Sequence, residues 1–404
     1  MLSYASVSDL IRREAPGNPL LCFSPGSIKK RVEQFLAHFP GETGWAVKSN
    51  PHPLVVRAVV DAGIRTFDVA SRHEIDLILR HCPSATLHFN HPVKAREDIV
   101  YAWHSAGIRS FAIDCPEELE KIDAVLDGAG ETARRDTVLT IRFRNTRPTG
   151  TGNYRFDEKF GAHASKAVDL LRFADSLGYR TGLTFHPGSQ NRDPHSYAML
   201  IDLARSIAAE SFAQGTAALA HINVGGGFPC SYPGGLEPAL KTYFAAIAET
   251  APSIACPLIC EPGRALVAES ANLLARINLR RKDDPRLYIN EGIYGSFMET
   301  PFVDFQPPVQ AYSADGTPFL EAGPCDDFQI WGATCDSLDR LRKPVSLPSA
   351  IATGDFIEFG MMGAYTNATA THFNGIEPAE LVAVAEITSW PTGTTSATQS
   401  HCEW

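Results

Sequence analysis

Four short segments of the chain hold residue types that could do chemistry on a small molecule. Lys48 closes the apolar run GWAVK (44–48) and is followed by Ser49 and Asn50. A lysine in such a place is ordinarily a solvated surface residue, because its long stem reaches water easily. Enclosed in a pocket, the same amine loses solvation, its pKa falls and it attacks carbonyl carbon. Gly225-Gly226-Gly227 lies between HINV and Phe228-Pro229. Alone it describes a flexible turn, but glycines also let main-chain N–H groups close around phosphate oxygens. Glu261-Pro262-Gly263-Arg264 sets a carboxylate and a guanidinium three residues apart in a stiff turn. A surface turn would look the same, yet a buried carboxylate keeps a pyridine nitrogen protonated while the guanidinium joins a phosphate cup. His186, in FHPGS (185–189), is either a structural histidine or a flat ring stacked on a planar cofactor, with Ser189 supplying a hydroxyl for phosphate.

A repeating pattern positions these residues. Strand-like apolar runs occur at 44–48, 64–70, 85–90, 108–114, 137–143, 180–186, 219–225 and 257–261. Between them, segments such as 53–63, 74–82, 97–107, 164–178 and 238–250 space their apolar residues three and four apart, as one face of a helix does. Several stop at glycine, which accepts the left-handed cap. A further helix over 27–39 precedes the first strand. Eight strands alternating with helices predict an α/β fold, a (β/α)8 TIM-type barrel whose functional residues gather at the C-terminal strand ends. The runs end in Lys48, Asp68, Asn90, Asp114, Arg142, His186, Gly225 to Gly227 and Glu261, a polar ring on an apolar barrel. After Glu261, short strand-like pieces separated by Gly, Pro and Asp predict a mostly-β domain. The expected division is a barrel over 27–265 and a β-rich domain from 1–26 and 266–404, with the first stretch adding a strand and TGTTSATQS (392–400) disordered.

Of 404 residues, 44% are hydrophobic and 20% charged, with no long uncharged apolar run, as in a soluble protein without a membrane span. The net charge of −10 and a pI near 5.7 leave no basic stripe for nucleic acid. Asp9 and Arg12 interrupt the first residues before an apolar core can form, so no signal peptide is expected. The nine cysteines are scattered, without C-x-x-C or zinc spacing; free thiols in a reducing cytoplasm, and no metal, are the expectation.

Together, a nucleophilic lysine, a phosphate cradle, a ring-nitrogen carboxylate and a stacking imidazole describe a site for pyridoxal 5′-phosphate. The sequence also resembles the group IV, fold-type III pyridoxal phosphate decarboxylases, and among them the ornithine and lysine enzymes. The resemblance is carried in order by AVKSN (46–50), FDVAS (67–71), KFG (159–161), FHPGS, GGGFP (225–229), EPGR (261–264), WGATCDSLD (331–339), MGAYT (362–366) and FNG (373–375). It implies an alanine racemase-like barrel with a β domain, Lys48 as the Schiff-base lysine, His186 stacked on the ring and Glu261 on the ring nitrogen. Ser189, Gly225, Gly226, Gly227, Arg264 and Tyr365 would bind the phosphate, with Arg142 and Asp68 near the ring and the lysine. It further implies head-to-tail homodimers with shared active sites, in which Cys335 reaches the partner's site as proton donor, Asp336 faces the substrate's distal amine and Phe373 lines the pocket.

Asp336 follows the cysteine where a glutamate marks the diaminopimelate branch, so the resemblance implies an ω-amine. Asp304, in PFVDF, is the second expected carboxylate, and two carboxylates around one ammonium suit L-ornithine or L-lysine, the precursors of polyamine biosynthesis. The family's ornithine enzymes carry Tyr-Asp-His where this chain has Val303-Asp304-Phe305, one residue out of step with GSF (295–297), and aspartate in place of Asn223 and Glu291. Other readings stay open. A decarboxylase of diaminopimelate, arginine or carboxynorspermidine would share the cofactor site. An amino-acid racemase would need a base opposite the lysine and has no use for CDSLD, and an inactive regulatory homologue would be expected to lose the cofactor residues kept here.

Overall fold

A computed structural model describes residues 4–144, 159–233, 238–251, 255–301, 305–319 and 323–390. Asp304 and TGTTSATQS lie outside the described residues. The chain divides into two compact units, Val32–Pro229 with Glu237–Gly263, and Met1–Arg31 with Cys230–Leu236 and Arg264–Trp404. The first strand, β1 (Leu20–Phe23), belongs to the latter.

The former unit is a closed parallel barrel of eight strands in sequence order. They are β2 (Glu42–Ala46), β3 (Thr66–Val69), β4 (Thr86–Phe89), β5 (Ser110–Ile113), β6 (Val138–Arg142), β7 (Arg180–Thr184), β8 (Ile222–Asn223) and β9 (Leu258–Cys260). Every residue of β3 and β5 is buried, which is why these strands read as continuous apolar runs: helices cover one face of a parallel barrel and side chains fill the other. Closure comes from β2 against β9, with Glu42 opposite Ile259 and Thr43 opposite Cys260. All eight expected strands are present, seven of them shorter than the runs that announced them and the first, of equal length, displaced two residues toward the N-terminus. Lys48 therefore sits past its strand in a single 3-10 turn, Val47–Ser49, and His186 two residues beyond Thr184.

Local sequence sets the connecting helices. The helix Arg72–His81 opens on Ser71, whose hydroxyl accepts from the Glu74 N–H at 3.3 Å while the Glu74 carboxylate accepts from the Ala70 N–H at 2.7 Å, a reciprocal cap. Pro53 starts its helix where a missing N–H costs nothing. The segment expected as a helix over 97–107 is α-helical only at Arg96–Val100 and continues as a wider π turn, Tyr101–Ser105.

The other unit holds an eight-stranded mixed sheet formed by β1 with β10 (Ala271–Arg280), β11 (Arg286–Ile289), β12 (Val309–Tyr312), β13 (Cys325–Trp331), β14 (Val345–Pro348), β15 (Phe356–Phe359) and β16 (Glu380–Ala383). The order is β12-β15-β10-β11-β13-β14, and β1 pairs antiparallel with β10 and parallel with β16, so the first residues do add a strand. A helix, Val7–Glu14, packs Val7, Leu10 and Ile11 into a core with Leu20, Leu274, Tyr312 and Phe356. The run TPFLEAG (317–323) contributes, among the described residues, only the bridge of Pro318 to Tyr312. Among the described residues, seven cysteines are free thiols, whereas Cys325 is disulfide-bonded. The expectation of free thiols throughout does not hold at Cys325, because pairing depends on where the fold brings sulfurs, not on their spacing in sequence. No described helix is long and apolar enough to cross a membrane.

Candidate active site

Within the barrel unit, the C-terminal strand ends bring Lys48, Asp68, Arg142, His186 and Glu261 into electrostatic reach of one another. Lys48 Nζ donates to Asp68 Oδ2 at 2.6 Å, and Asp68 is buried. The turn that presents the lysine is braced by Ser49, whose hydroxyl accepts from the Trp45 indole N–H at 3.1 Å and donates to the Ala46 carbonyl at 2.8 Å. The Ala46 N–H donates to the Pro262 carbonyl at 3.2 Å, so the lysine's turn is tied directly to the loop carrying Glu261.

Burial, reinforced by the negative charge of Asp68 and opposed by Lys48, pushes the Glu261 carboxyl up to about 8. Glu261 thus holds a proton at neutral pH until a cation comes against it. Asn90 Nδ2 donates to Glu261 Oε1. Asn90 belongs to the ring of strand-end residues, and that position was its only signal; the sequence reading attached no role to it. Burial, followed by the positive charges of Arg142 and Lys48, pulls the His186 imidazole down to about 3. The ring is neutral at physiological pH, and its Nδ1 accepts from the Gly188 N–H at 3.1 Å, which fixes its orientation. A neutral, oriented ring is suited to lie against a protonated pyridine without charge repulsion. Arg142 lies over the Phe160 ring at 5.4 Å, while Asp114 accepts from the Gly161 N–H at 2.8 Å and so shapes the KFG segment.

The triple glycine is held from behind. The carbonyls of Gly225, Gly226 and Gly227 accept from the Glu261 N–H at 2.9 Å, the Tyr197 hydroxyl at 2.8 Å and the Asn191 N–H at 3.0 Å. The Gly225 N–H donates to Asn223 Oδ1 at 2.8 Å, leaving the N–H groups of Gly226 and Gly227 without a partner among the described residues. No side chain would fit: a Cβ on Gly226 would lie 2.8 Å from the Glu261 carbonyl and 3.4 Å from His186 Nε2, and Gly227 has φ +88°. Ser189 is half-buried on the same FHPGS segment as His186.

The other unit holds two clusters of its own. In one, buried Arg264 donates through Nη1 to the Tyr232 hydroxyl at 2.9 Å and through Nη2 to Glu299, with its guanidinium 4.9 Å above the Tyr365 ring. Its Nε is buried and has no hydrogen-bond partner. Tyr365 is held with φ +59°. In the other, exposed Cys335 is fastened by Asn374, whose Oδ1 accepts from the Cys335 N–H at 3.2 Å and from Sγ at 3.3 Å. Asp336 accepts from the Tyr294 hydroxyl and from the Leu338 N–H at 2.9 Å, and these bonds hold its carboxyl below the usual range. The Phe373 ring packs on Tyr294 at 4.5 Å between centroids. Buried Asp339 organises the segment by accepting from the Ile293 N–H at 2.8 Å, the Thr334 N–H at 2.9 Å and the Thr334 hydroxyl at 2.7 Å. Tyr232, Glu299, Tyr294 and Asn374 were given no role in the sequence reading, although Asn374 lies inside FNG (373–375) and Tyr294 and Glu299 flank GSF.

Comparison with known proteins gives the family. Residues 25–268 match the pyridoxal binding domain of the pyridoxal-dependent decarboxylases. The chain is 31% identical to the decarboxylase flvG of Aspergillus flavus, covering 82% of this chain and 77% of that protein. It is 32% identical to the ornithine decarboxylase of Schizosaccharomyces pombe, over 84% and 76%. The lysine/ornithine decarboxylase of Vibrio vulnificus complexed with cadaverine superposes with a TM-score of 0.80 at 29% identity, over 95% of this chain and all of that one. The chain belongs to the pyridoxal-dependent decarboxylases, enzymes of the barrel-plus-β-domain plan that act on amino acids with pyridoxal 5′-phosphate. The residues present fit that cofactor: within the barrel unit, unpartnered glycine N–H groups suit a phosphate and a buried carboxyl with a raised pKa suits a ring cation, and within the other unit the orphaned Nε of Arg264 suits an anion.

Proposed function

We propose that this enzyme decarboxylates a basic L-amino acid, L-ornithine or L-lysine, to the corresponding diamine and CO2. The observation that carries the reading is the barrel-mouth cluster in which Lys48 pairs with Asp68 while Glu261 and His186 stand ready for a protonated planar ring. Bound pyridoxal phosphate supplies an electron sink for the electron pair left when the α-carboxylate departs as CO2. Lys48 is the amine that holds the cofactor's carbonyl carbon, and Asp68 keeps its proton at hand. Glu261, ionised once it faces a cation, holds a proton on the ring nitrogen and so sets the depth of that sink. Gly225 to Gly227, Ser189, Arg264 and Tyr365 take the phosphate, with Arg142 beside the ring.

For the substrate, Asp336 is the group for the ω-ammonium, and the Tyr294 hydroxyl that bonds it keeps it ionised and aimed. Asp304 is the second carboxylate, and Phe373 the apolar wall. Cys335 returns a proton to the α-carbon. In this reading Cys335, Asp336 and Phe373 serve the partner subunit of a homodimer in the cytoplasm, within polyamine biosynthesis, and the barrel spans 27–265. Purified protein should absorb near ~420 nm through the bound cofactor, and K48A should lose both that absorbance and activity. CO2 release measured with ornithine, lysine, arginine and diaminopimelate tests the substrate; turnover of diaminopimelate alone would refute the role given to Asp336.

A further inference from the structure

The arginine assigned to the phosphate already has an anion. Arg264 is buried, and its guanidinium meets the Glu299 carboxylate at Nη2 and the neutral Tyr232 hydroxyl at Nη1. Both partners are enclosed with it: the Glu299 side chain is only 18% exposed, and the Tyr232 ring packs on Phe305 at 3.9 Å. One carboxylate neutralises one guanidinium, and a buried cation stripped of its counter-ion is strongly destabilising. An arriving phosphate provides a second source of neutralising charge for the same cation, through the orphaned Nε. We infer that Glu299 is the resident counter-ion of Arg264 in the cofactor-free enzyme, a positioning residue that keeps the phosphate site formed and sets how tightly the cofactor's phosphate is held.

The inference rests on the reading of Arg264 as a phosphate ligand, and thermodynamic linkage gives it an unusual signature. Without the Glu299 charge, the cofactor-free protein keeps a buried arginine with no counter-ion, whereas the phosphate-bound protein does not. Removing the charge therefore harms the empty state more than the loaded one. Stability without cofactor must fall while phosphate affinity rises. A side chain that merely props up the fold would lower both.

The test compares wild-type, E299Q and E299D full-length protein, each stripped of cofactor. In E299Q the melting temperature without cofactor should fall, the dissociation constant for pyridoxal phosphate should drop about fivefold to twentyfold, and inorganic phosphate should raise the melting temperature more than it does in wild type. E299D keeps the charge at shorter reach, stays folded and should show the same changes at smaller size. Affinity for pyridoxal, which lacks the phosphate, should not change in either variant. Unchanged or weakened pyridoxal phosphate binding in both variants would overturn the role of Glu299. Wild-type protein that binds pyridoxal as tightly as pyridoxal phosphate would instead overturn the reading of Arg264 as a phosphate ligand.

Discussion

Glu261 and His186 are opposite outcomes of the same burial. Loss of water raises a carboxyl and lowers an imidazole, since it disfavours the charged form of each, and at the barrel mouth this leaves both neutral before the cofactor arrives. Glu261 therefore links stability to pH. Its carboxyl titrates near 4.5 when unfolded and near 8 when folded, so the folded chain binds the extra proton between those values. The associated stability is fully present below about pH 4.5 and is lost as pH rises through about 8. The melting temperature of cofactor-free wild-type protein, measured against that of E261Q, should therefore fall progressively from pH 6 to pH 8.5. The comparison isolates Glu261 from Glu74, which burial raises to about 7 and which slopes the same way, and from His186, whose lowered imidazole gives the opposite slope near 6.5. E261Q should also lower kcat by on the order of 100-fold, the usual scale for losing one electrostatic stabiliser of a transition state. Most of these residues were legible before the fold was known, because each stands where an apolar run stops. Asn90 satisfied the same rule without displaying its purpose, which appears only when β4 and β9 bring it to Glu261.

Among the elements, the barrel strands were the most readable and the loops the least. Alternating apolar runs report burial directly, and burial decides where strands lie. The clusters Arg264–Tyr232–Glu299 and Cys335–Asn374–Asp336–Tyr294 join residues far apart in the chain with no shared period, so nothing in the linear order pairs them. The CDSLD segment shows how such a loop is kept rigid. Asp339 accepts three hydrogen bonds there, and removing it would strand donors at about 1–3 kcal/mol each. D339A should retain the absorbance of bound cofactor but lose kcat by about tenfold or more, measured by CO2 release. If cofactor binding were lost to the same degree as turnover, Asp339 would be serving the fold as a whole and not this loop.

For the whole molecule, the proposed homodimer makes a strict arithmetic prediction. K48A and C335A should each be inactive alone. If Cys335 serves the partner's site, mixing and re-equilibrating equal amounts should restore about one quarter of wild-type activity, since half the dimers are mixed and each of those has one intact site. No recovery from verified mixed dimers would place Cys335 in its own subunit's chemistry or outside it. The barrel's closure has a temporal consequence as well. Lys48 follows the first barrel strand and Glu261 the last, and these two strands are hydrogen-bonded neighbours although some two hundred residues separate them, a span whose closure entropy makes the pairing slow. During synthesis the lysine emerges early and waits. It has no ring partner until the final strand docks, so the growing chain cannot assemble a productive site on a half-built barrel, and cofactor capture should report the completion of folding.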